Sequence, residues 1–457
     1  MLPLPFSERM KRLLGEEYPA FLRAMTEEPP VHALRINTVL PTADPSSAIG
    51  DLSLRRVPYT DDGYYYDGGE RIGHHPAHHA GIVYSQDPGA MSTLNAVSIP
   101  RGSRVLDVCA APGGKSAQLA AAIGPEGLLV SNEYVTSRCR ILVSNIERLA
   151  IPNALVLHED SATLAQQFPS FFDLVLVDAP CSGEGMFRKS EEALADWSEE
   201  NVRISAARQR EILKNAAATV RPGGRLLYST CTFSREENEE CIADFLASNP
   251  QFSILPVKER LIPYTAAGLP VEGCPHPLHL TRRFYPHIAP GEGQYMALLA
   301  RAQKGEAEDT PAYRDASATP TKGELALLSD FFKKSMGDST PAARVRTLGG
   351  KLLLPPPIPL PPFGVFAAGT CIGEIRGKNF FPHHQLFKTH GCRFLRKIEL
   401  TPDDPRTAAY LHGDVIAAPD TENGYAAVLL CGAPLGGAKI VDGVAKNLYP
   451  KGLRNLK

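Results

Sequence analysis

Between Arg104 and Ser229, short apolar runs alternate with longer amphipathic stretches, and few folds accommodate that alternation. The runs are Arg104-Val105-Leu106-Asp107-Val108, Leu128-Leu129-Val130, Ala154-Leu155-Val156-Leu157, Leu174-Val175-Leu176-Val177 and Arg225-Leu226-Leu227-Tyr228-Ser229. Runs this short and this uniformly apolar predict strands buried on both faces. The stretches Thr136 to Leu149 and Val202 to Val220 have helical spacing and supply the covering layers. The second is expected to stop at Pro222-Gly223-Gly224. The predicted class is α/β, a Rossmann-like, doubly wound parallel sheet.

One such unit does not use up 457 residues, so more than one domain is expected. Residues 1–95 read as a mixed α/β segment, with helical spacing from Phe6 to Met25 and a strand at Ala33 to Asn37. Residues 96–303 hold the alternating core. The polar stretch 302–324 has Tyr313 as its one large apolar residue and predicts a linker, bounded here at 304–324. Residues 325–390 form an intermediate region containing the stiff Pro-rich run Leu354 to Phe363. Residues 391–457 show short alternating segments and predict a small β-rich domain.

Acidic residues recur where the strands end. After the first strand comes the small-residue loop Cys109-Ala110-Ala111-Pro112-Gly113-Gly114-Lys115, which lets a ligand approach the backbone closely. It has neither Walker nor GxGxxG spacing. Glu133, Asp160 and Asp178 close the next three strands. Ligands of open α/β sheets bind at that rim, and a carboxylate about 20 residues past the loop suits ribose hydroxyls, which places Glu133. Each acid alone reads as a helix cap. The three together predict a nucleoside-containing cofactor.

Two thiols share the rim. Asp178-Ala179-Pro180-Cys181-Ser182 follows the fourth strand, and Ser229-Thr230-Cys231-Thr232 follows the fifth. Nine cysteines, odd in number and scattered, indicate reduced thiols and a cytoplasmic setting. The start of the chain lacks the apolar core of a signal peptide, and no long run is free of polar residues as a membrane span requires. Buried core cysteine, disulfide and zinc are the rival readings. Zinc draws on His74, His75, His78 and His79, but Pro76 interrupts that run and no Cys-x-x-Cys occurs, so no metal is expected. A rim thiol suits covalent catalysis. Carbon 5 of cytosine becomes nucleophilic once a thiolate has added to carbon 6, and Asp178 is placed to hydrogen-bond ring nitrogen 3.

Three segments, DVCAAPGGKSAQLA, DAPCSGEGMFRK and STCTFSREENEE, resemble the signatures of the Nol/Nop/Sun-type (RsmB/RsmF) RNA cytosine-5 methyltransferases. Within that family the resemblance is to bacterial RsmF-type enzymes of 16S ribosomal RNA. HALRINTVL and GIVYSQDPGAM resemble its N-terminal RNA-binding segment, RRFYPHIAPGEGQYMALL its last core strands, and AKNLYPKGLR its PUA-like C-terminal domain. The resemblance implies S-adenosylmethionine (SAM) as methyl donor and Cys231 as nucleophile. Cys181 then assists release of the covalent adduct. Cys109, Ala110, Ala111, Pro112, Gly113, Gly114 and Lys115 wrap the methionine end, with Lys115 near the target base. Glu133 takes the ribose and Asp160 the adenine amino group. Asp178 lies between cofactor and cytosine, and Pro180 shapes the base pocket. Arg138 is a weaker candidate for cofactor or RNA contact. One departure stands in PLGGAK, Pro434 to Lys439, where related tails carry an aromatic residue at or beside Gly437.

With 48 basic and 50 acidic residues, any RNA surface must be local. Candidates are Arg188 and Lys189, Arg282 and Arg283, and the cluster Lys439, Lys446, Lys451, Arg454 and Lys457 interleaved with Tyr449. Arg203, Arg208 and Arg210 read as a solvated helix face. Phe187 and Trp197 suit either the base pocket or the core. The expected substrate is RNA, 16S or the small ribosomal subunit, met by a monomer. Transfer RNA as substrate, and a non-catalytic ribosome-assembly factor, are the alternatives.

Overall fold

The computed structural model describes residues 2–40, 45–50, 52–67 and 72–455. Its centre is a ten-stranded sheet. Five parallel strands, Arg104–Asp107, Leu128–Asn132, Ala154–Leu157, Phe172–Asp178 and Val220–Thr230, lie in the spatial order third, second, first, fourth, fifth. The order reverses at Arg104–Asp107, and ligand crevices open at such a reversal, beyond the carboxyl ends of the strands. Gln294–Arg301 pairs antiparallel with the fifth strand and extends the sheet. Leu106, Leu129, Val130, Leu155, Val156 and Val175 are wholly buried. Each such side chain contributes about 1.5–3 kcal/mol by leaving water. The Rossmann-like core expected from the alternation is present.

Two expectations shift. The long helix spans Glu199–Thr219 and starts at Ser198, whose Oγ accepts from Asn201 N at 3.1 Å. Pro222-Gly223-Gly224 make no turn after it; they lie inside the Val220–Thr230 strand, where pairing with Phe172–Asp178 shifts register. A bulge absorbs a proline that has no N–H to give the ladder. At the other end, the spacing from Phe6 to Met25 is broken into helices Leu4–Leu14 and Tyr18–Thr26. Gly15, at φ 53°, ends the first of them.

The N-terminal helices precede a four-stranded antiparallel sheet of Leu54–Arg56, Gly63–Tyr66, Ala33–Ile36 and Val83–Ser85. In the C-terminal half, helix Lys322–Met336 begins with a Thr321–Glu324 capping box, inside the stretch read as linker. Up to Pro320 that stretch has no helix or strand, yet it is held to the core. Tyr313 packs on Phe168 at 5.6 Å between ring centres, and its hydroxyl donates to Pro359 O at 3.0 Å. Val365–Ala368, just past the Pro-rich run, joins the core sheet antiparallel to Ala154–Leu157. No sequence signal announces that pairing. The last unit is a five-stranded sheet, Lys397–Leu400, Gly424–Leu430, Ala433–Val441, Val444–Asn447 and Ile416–Ala417. The Phe387 ring fills the space over Gly437 that a side chain would enter, so an aromatic group is present there from another element.

The histidine run serves packing. His79 Nδ1 lies 2.9 Å from the Tyr449 hydroxyl, and His75 caps the short helix Pro76–His79. Among the described residues no group of three or more His, Cys, Asp or Glu side chains is arranged to hold a metal ion. No helix among them is long and apolar enough to cross a membrane.

Candidate active site

The loop after Arg104–Asp107 turns sharply into helix Gly114–Ile123. Gly113 makes the turn at φ 111°, which a side chain would strain. The loop is pinned from outside by Arg138 Nη2 on Ala111 O at 2.9 Å and Asn145 Nδ2 on Pro112 O at 2.8 Å. Ala110 N donates to Asn132 O at 2.8 Å. Arg138 thus braces the loop, and its Nη1 lies 3.7 Å from Glu133 Oε2.

Two buried carboxylates border the loop with an oxygen to spare. Glu133 Oε1 accepts from Val135 N at 2.9 Å, and Asp107 Oδ2 accepts from Ser116 Oγ at 2.7 Å. Among the described residues, Glu133 Oε2 and Asp107 Oδ1 have no hydrogen-bond partner. Burial raises the Asp107 carboxyl to about 7. Buried polar atoms are seldom left unpaired. Spare acceptors beside a small-residue loop fit a ligand that brings hydroxyl and amino donors, as a nucleoside cofactor does. Asp160 is exposed and caps helix Ser161–Gln167, its Oδ1 accepting from Thr163 N at 2.7 Å.

Farther along the rim, Lys115 Nζ donates to Asp178 Oδ2 at 2.8 Å, and Ser229 Oγ donates to Asp178 Oδ1 at 2.6 Å. Burial pulls the Lys115 ammonium down, but Asp178, by charge and hydrogen bond, more than offsets it, so Lys115 stays protonated. Cys231 is among the groups that favour its positive charge. The two thiols meet with Sγ atoms 3.2 Å apart. The hydrogen bond with Cys231, then burial, holds the Cys181 thiol well above its ordinary range. The Cys109 thiol is likewise raised by burial.

A buried polar network carries the two cysteine turns. Glu184 accepts from Trp197 Nε1 at 3.0 Å, Thr232 Oγ1 at 2.9 Å and Phe233 N at 3.0 Å. Glu237 accepts from Ser182 N at 3.0 Å, Ser182 Oγ at 2.5 Å and Gln209 Nε2 at 2.8 Å. Asn238 bonds Thr230 Oγ1 at 2.6 Å and Thr232 O at 3.0 Å. Glu239 pairs with Arg283, both within 2% of full burial. Sequence reasoning assigned no role to Glu184, Gln209, Glu237, Asn238 or Glu239, and it read Arg283 as an RNA contact and Trp197 as base pocket or core. The usable signal was a dense acidic run, Glu236 to Glu240, directly behind a rim cysteine.

Several predicted RNA contacts are committed elsewhere. Arg188 is buried against Glu292, with Nε 2.9 Å from Oε2, and Lys189 pairs with Asp87 at 2.8 Å. Arg283 is buried, and Arg282 Nε donates to Thr265 Oγ1 at 2.9 Å. Phe187 and Trp197 pack around Phe6 of the first helix, at 5.0 and 5.8 Å between ring centres, and so belong to the core. Tyr449 is buried between His384 and Tyr410, out of reach of a base. Lys439, Lys446 and Lys451 are exposed, and Lys457 lies outside the described residues.

The fold is a Rossmann-like sheet with a small-residue loop and two thiols on one rim, the class of fold found in methyltransferases. The family model described as 16S rRNA methyltransferase RsmB/F matches residues 95–300. That of the N-terminal domain of RsmF matches residues 2–88, and that of the RsmF PUA domain matches residues 397–455. Ribosomal RNA small subunit methyltransferase F of Klebsiella pneumoniae is 32% identical over 446 residues, covering 94% of this chain and 91% of the relative. Its Salmonella heidelberg counterpart is 35% identical over 315 residues, covering 66% of this chain and 64% of its own length. Among solved structures, a methyltransferase homolog protein from Pyrococcus horikoshii has a TM-score of 0.55 and 26% identity, covering 65% of this chain and 94% of that one. The chain belongs to the RsmB/F family of SAM-dependent ribosomal RNA methyltransferases.

Proposed function

We propose that this chain transfers the methyl group of SAM to carbon 5 of a cytosine in small-subunit 16S ribosomal RNA, through a covalent bond from Cys231 to carbon 6. The observation that carries the reading is the 3.2 Å meeting of Cys231 and Cys181 beside the Lys115–Asp178 pair. A lone structural thiol needs neither a second thiol nor an ammonium.

The steps follow from the residues. The Cys231 thiolate adds to carbon 6, helped by the Lys115 charge. Lys115 Nζ donates to Asp178 Oδ2 at 2.8 Å, and the ammonium so oriented has further N–H donors with which the pair provides the hydrogen bond to ring nitrogen 3. Carbon 5 is then electron-rich and takes the methyl group. SAM supplies that group as an electrophile on a sulfonium. The carbon 5 proton leaves to a base, the carbon 5–carbon 6 double bond re-forms, and Cys231 departs. Cys181 assists this release from its place against Cys231. Glu133 holds the ribose, Asp160 the adenine amino group, and Cys109 to Lys115 the methionine end.

In this reading residues 96–303 carry the chemistry, while 1–95 and 391–457 hold RNA, the latter through Lys439, Lys446 and Lys451. A stacked base must be unpaired or flipped to reach the rim. The protein acts as a cytoplasmic monomer. Nucleoside mass spectrometry of unmodified small-subunit RNA treated with enzyme and SAM tests the reading. 5-Methylcytidine is the expected product; a methyl group on any other atom, or only on transfer RNA, overturns it.

A further inference from the structure

We infer that Glu237 is the positioning residue that sets Cys181 against Cys231 for the release half of the reaction. The inference rests on the covalent reading above.

The Cys181 turn is clamped on both sides. Before it, Pro180 O accepts from Gln209 Nε2 at 2.9 Å. After it, Ser182 N and Oγ donate to the two oxygens of Glu237 at 3.0 and 2.5 Å. Gln209 Nε2 also reaches Glu237 Oε2 at 2.8 Å, which joins the two clamps. Glu237 itself belongs to the other cysteine turn. Its carbonyl accepts from the Tyr228 hydroxyl at 2.7 Å, which anchors it to the fifth strand. Ser182 Oγ lies 2.9 Å from Thr232 Oγ1, next to Cys231. One buried carboxylate therefore fixes how the two turns sit on each other.

Cys231 is also held by bonds that do not involve the Glu237 side chain. Its carbonyl accepts from Gly185 N at 2.9 Å, and Asn238 braces the residues on either side. Removing the Glu237 side chain loosens the Cys181 turn and leaves that support in place. The carboxylate makes no hydrogen bond to either thiol; it holds the Cys181 turn through Ser182 and, by way of Gln209, through Pro180, and its charge also helps to keep the Cys181 thiol protonated. Burial raises it to about 7, and either protonation state keeps an oxygen that accepts. A carboxamide of the same shape can hold Ser182 N and Gln209 Nε2. Alanine takes the partner from the half-buried Ser182 N and from Ser182 Oγ.

The test compares wild type, Cys181→Ala, Glu237→Ala and Glu237→Gln with labelled SAM and the target RNA. It reads single-turnover methyl transfer, steady-state turnover and the covalent protein–RNA band on a denaturing gel. Glu237→Ala is expected to keep first-turnover transfer within about threefold, to lose at least about tenfold in steady-state turnover and to accumulate the band. Glu237→Gln is expected to restore turnover to within about threefold of wild type. Loss of the first turnover together with the steady state, without a band, overturns the inference, because it marks general loosening. Full turnover in Glu237→Ala overturns it too. A band in Cys181→Ala but not in Glu237→Ala sinks this inference alone. No band in Cys181→Ala sinks the covalent-release reading itself, and the inference with it. Should Glu237→Ala fail to fold, Gln209→Ala, which removes the Pro180 O and one Glu237 bond, carries the same test.

Discussion

The Sγ atoms of Cys181 and Cys231, 50 positions apart in the chain, lie 3.2 Å from one another. The meeting follows from strand register. Asp178 and Ser229 are partners in adjacent parallel strands, and each strand then turns outward, one to Cys181 and the other to Cys231. Neither turn has to travel far, so strand register brings the two thiols to one place, and the Glu237 clamp fixes how the turns meet there.

Cys231→Ala is expected to abolish methyl transfer and leave SAM affinity within about twofold, because the thiol acts on the base and not on the cofactor. Equilibrium binding and a methyl-transfer assay on the same preparation check both halves. Residual turnover above about one per cent of wild type would remove Cys231 from the nucleophile's role.

Cys181→Ala is expected to methylate once and stall. The mark of the stall is a slow-migrating protein–RNA band that forms only with SAM present. A variant that turns over normally and leaves no band would strip Cys181 of its part in release.

SAM affinity is expected to depend on pH through Asp107. Burial holds that carboxyl at about 7. A bound sulfonium and ammonium favour the carboxylate and pull its pKa down, so binding expels a proton below that pH. Affinity should rise as pH climbs toward about 7 and level off above it. Calorimetry at about pH 6 and about pH 8 reads this as a difference of roughly threefold or more, which Asp107→Asn removes. Without ligand the sign reverses for folding. The buried carboxyl keeps its proton after the unfolded one has lost it, so this contribution to stability falls from the ordinary carboxylate range up to about 7. Equal affinity at both pH values would contradict the role.

Arg283→Ala is expected to cost about 3–5 kcal/mol of stability, since it strands the Glu239 charge in the core. Thermal and denaturant unfolding check it. A loss below about 1 kcal/mol would mean that water reaches Glu239 and that the buried network is looser than its geometry.

The sheet was legible because its strands are short, apolar and bounded by loops of small residues. Leu128 to Val130 and Leu174 to Val177 each lie inside the strand they predict. The rim residues Lys115, Glu133, Asp178, Cys181 and Cys231 follow from strand ends, which local pattern marks well. Contacts that depend on long-range pairing left no local trace. Val365–Ala368 reads like any β-prone segment, and nothing nearby says that its partner is Ala154–Leu157. Arg188 and Arg283 read as surface charge because their acids, Glu292 and Glu239, sit 104 and 44 positions away. Pro222-Gly223-Gly224 carry the signal of a helix stop, and the helix does stop, but the same residues also make a bulge.

RNA bearing 5-fluorocytosine at the target probes the bond from Cys231 to carbon 6. Fluorine cannot leave as a proton does, so after methyl transfer the adduct is trapped. Peptide mass spectrometry of the trapped complex, formed with SAM, is expected to place the methylated fluorocytosine on Cys231. A trapped base on Cys181, or no covalent complex from an enzyme that methylates the unfluorinated RNA, would contradict the account.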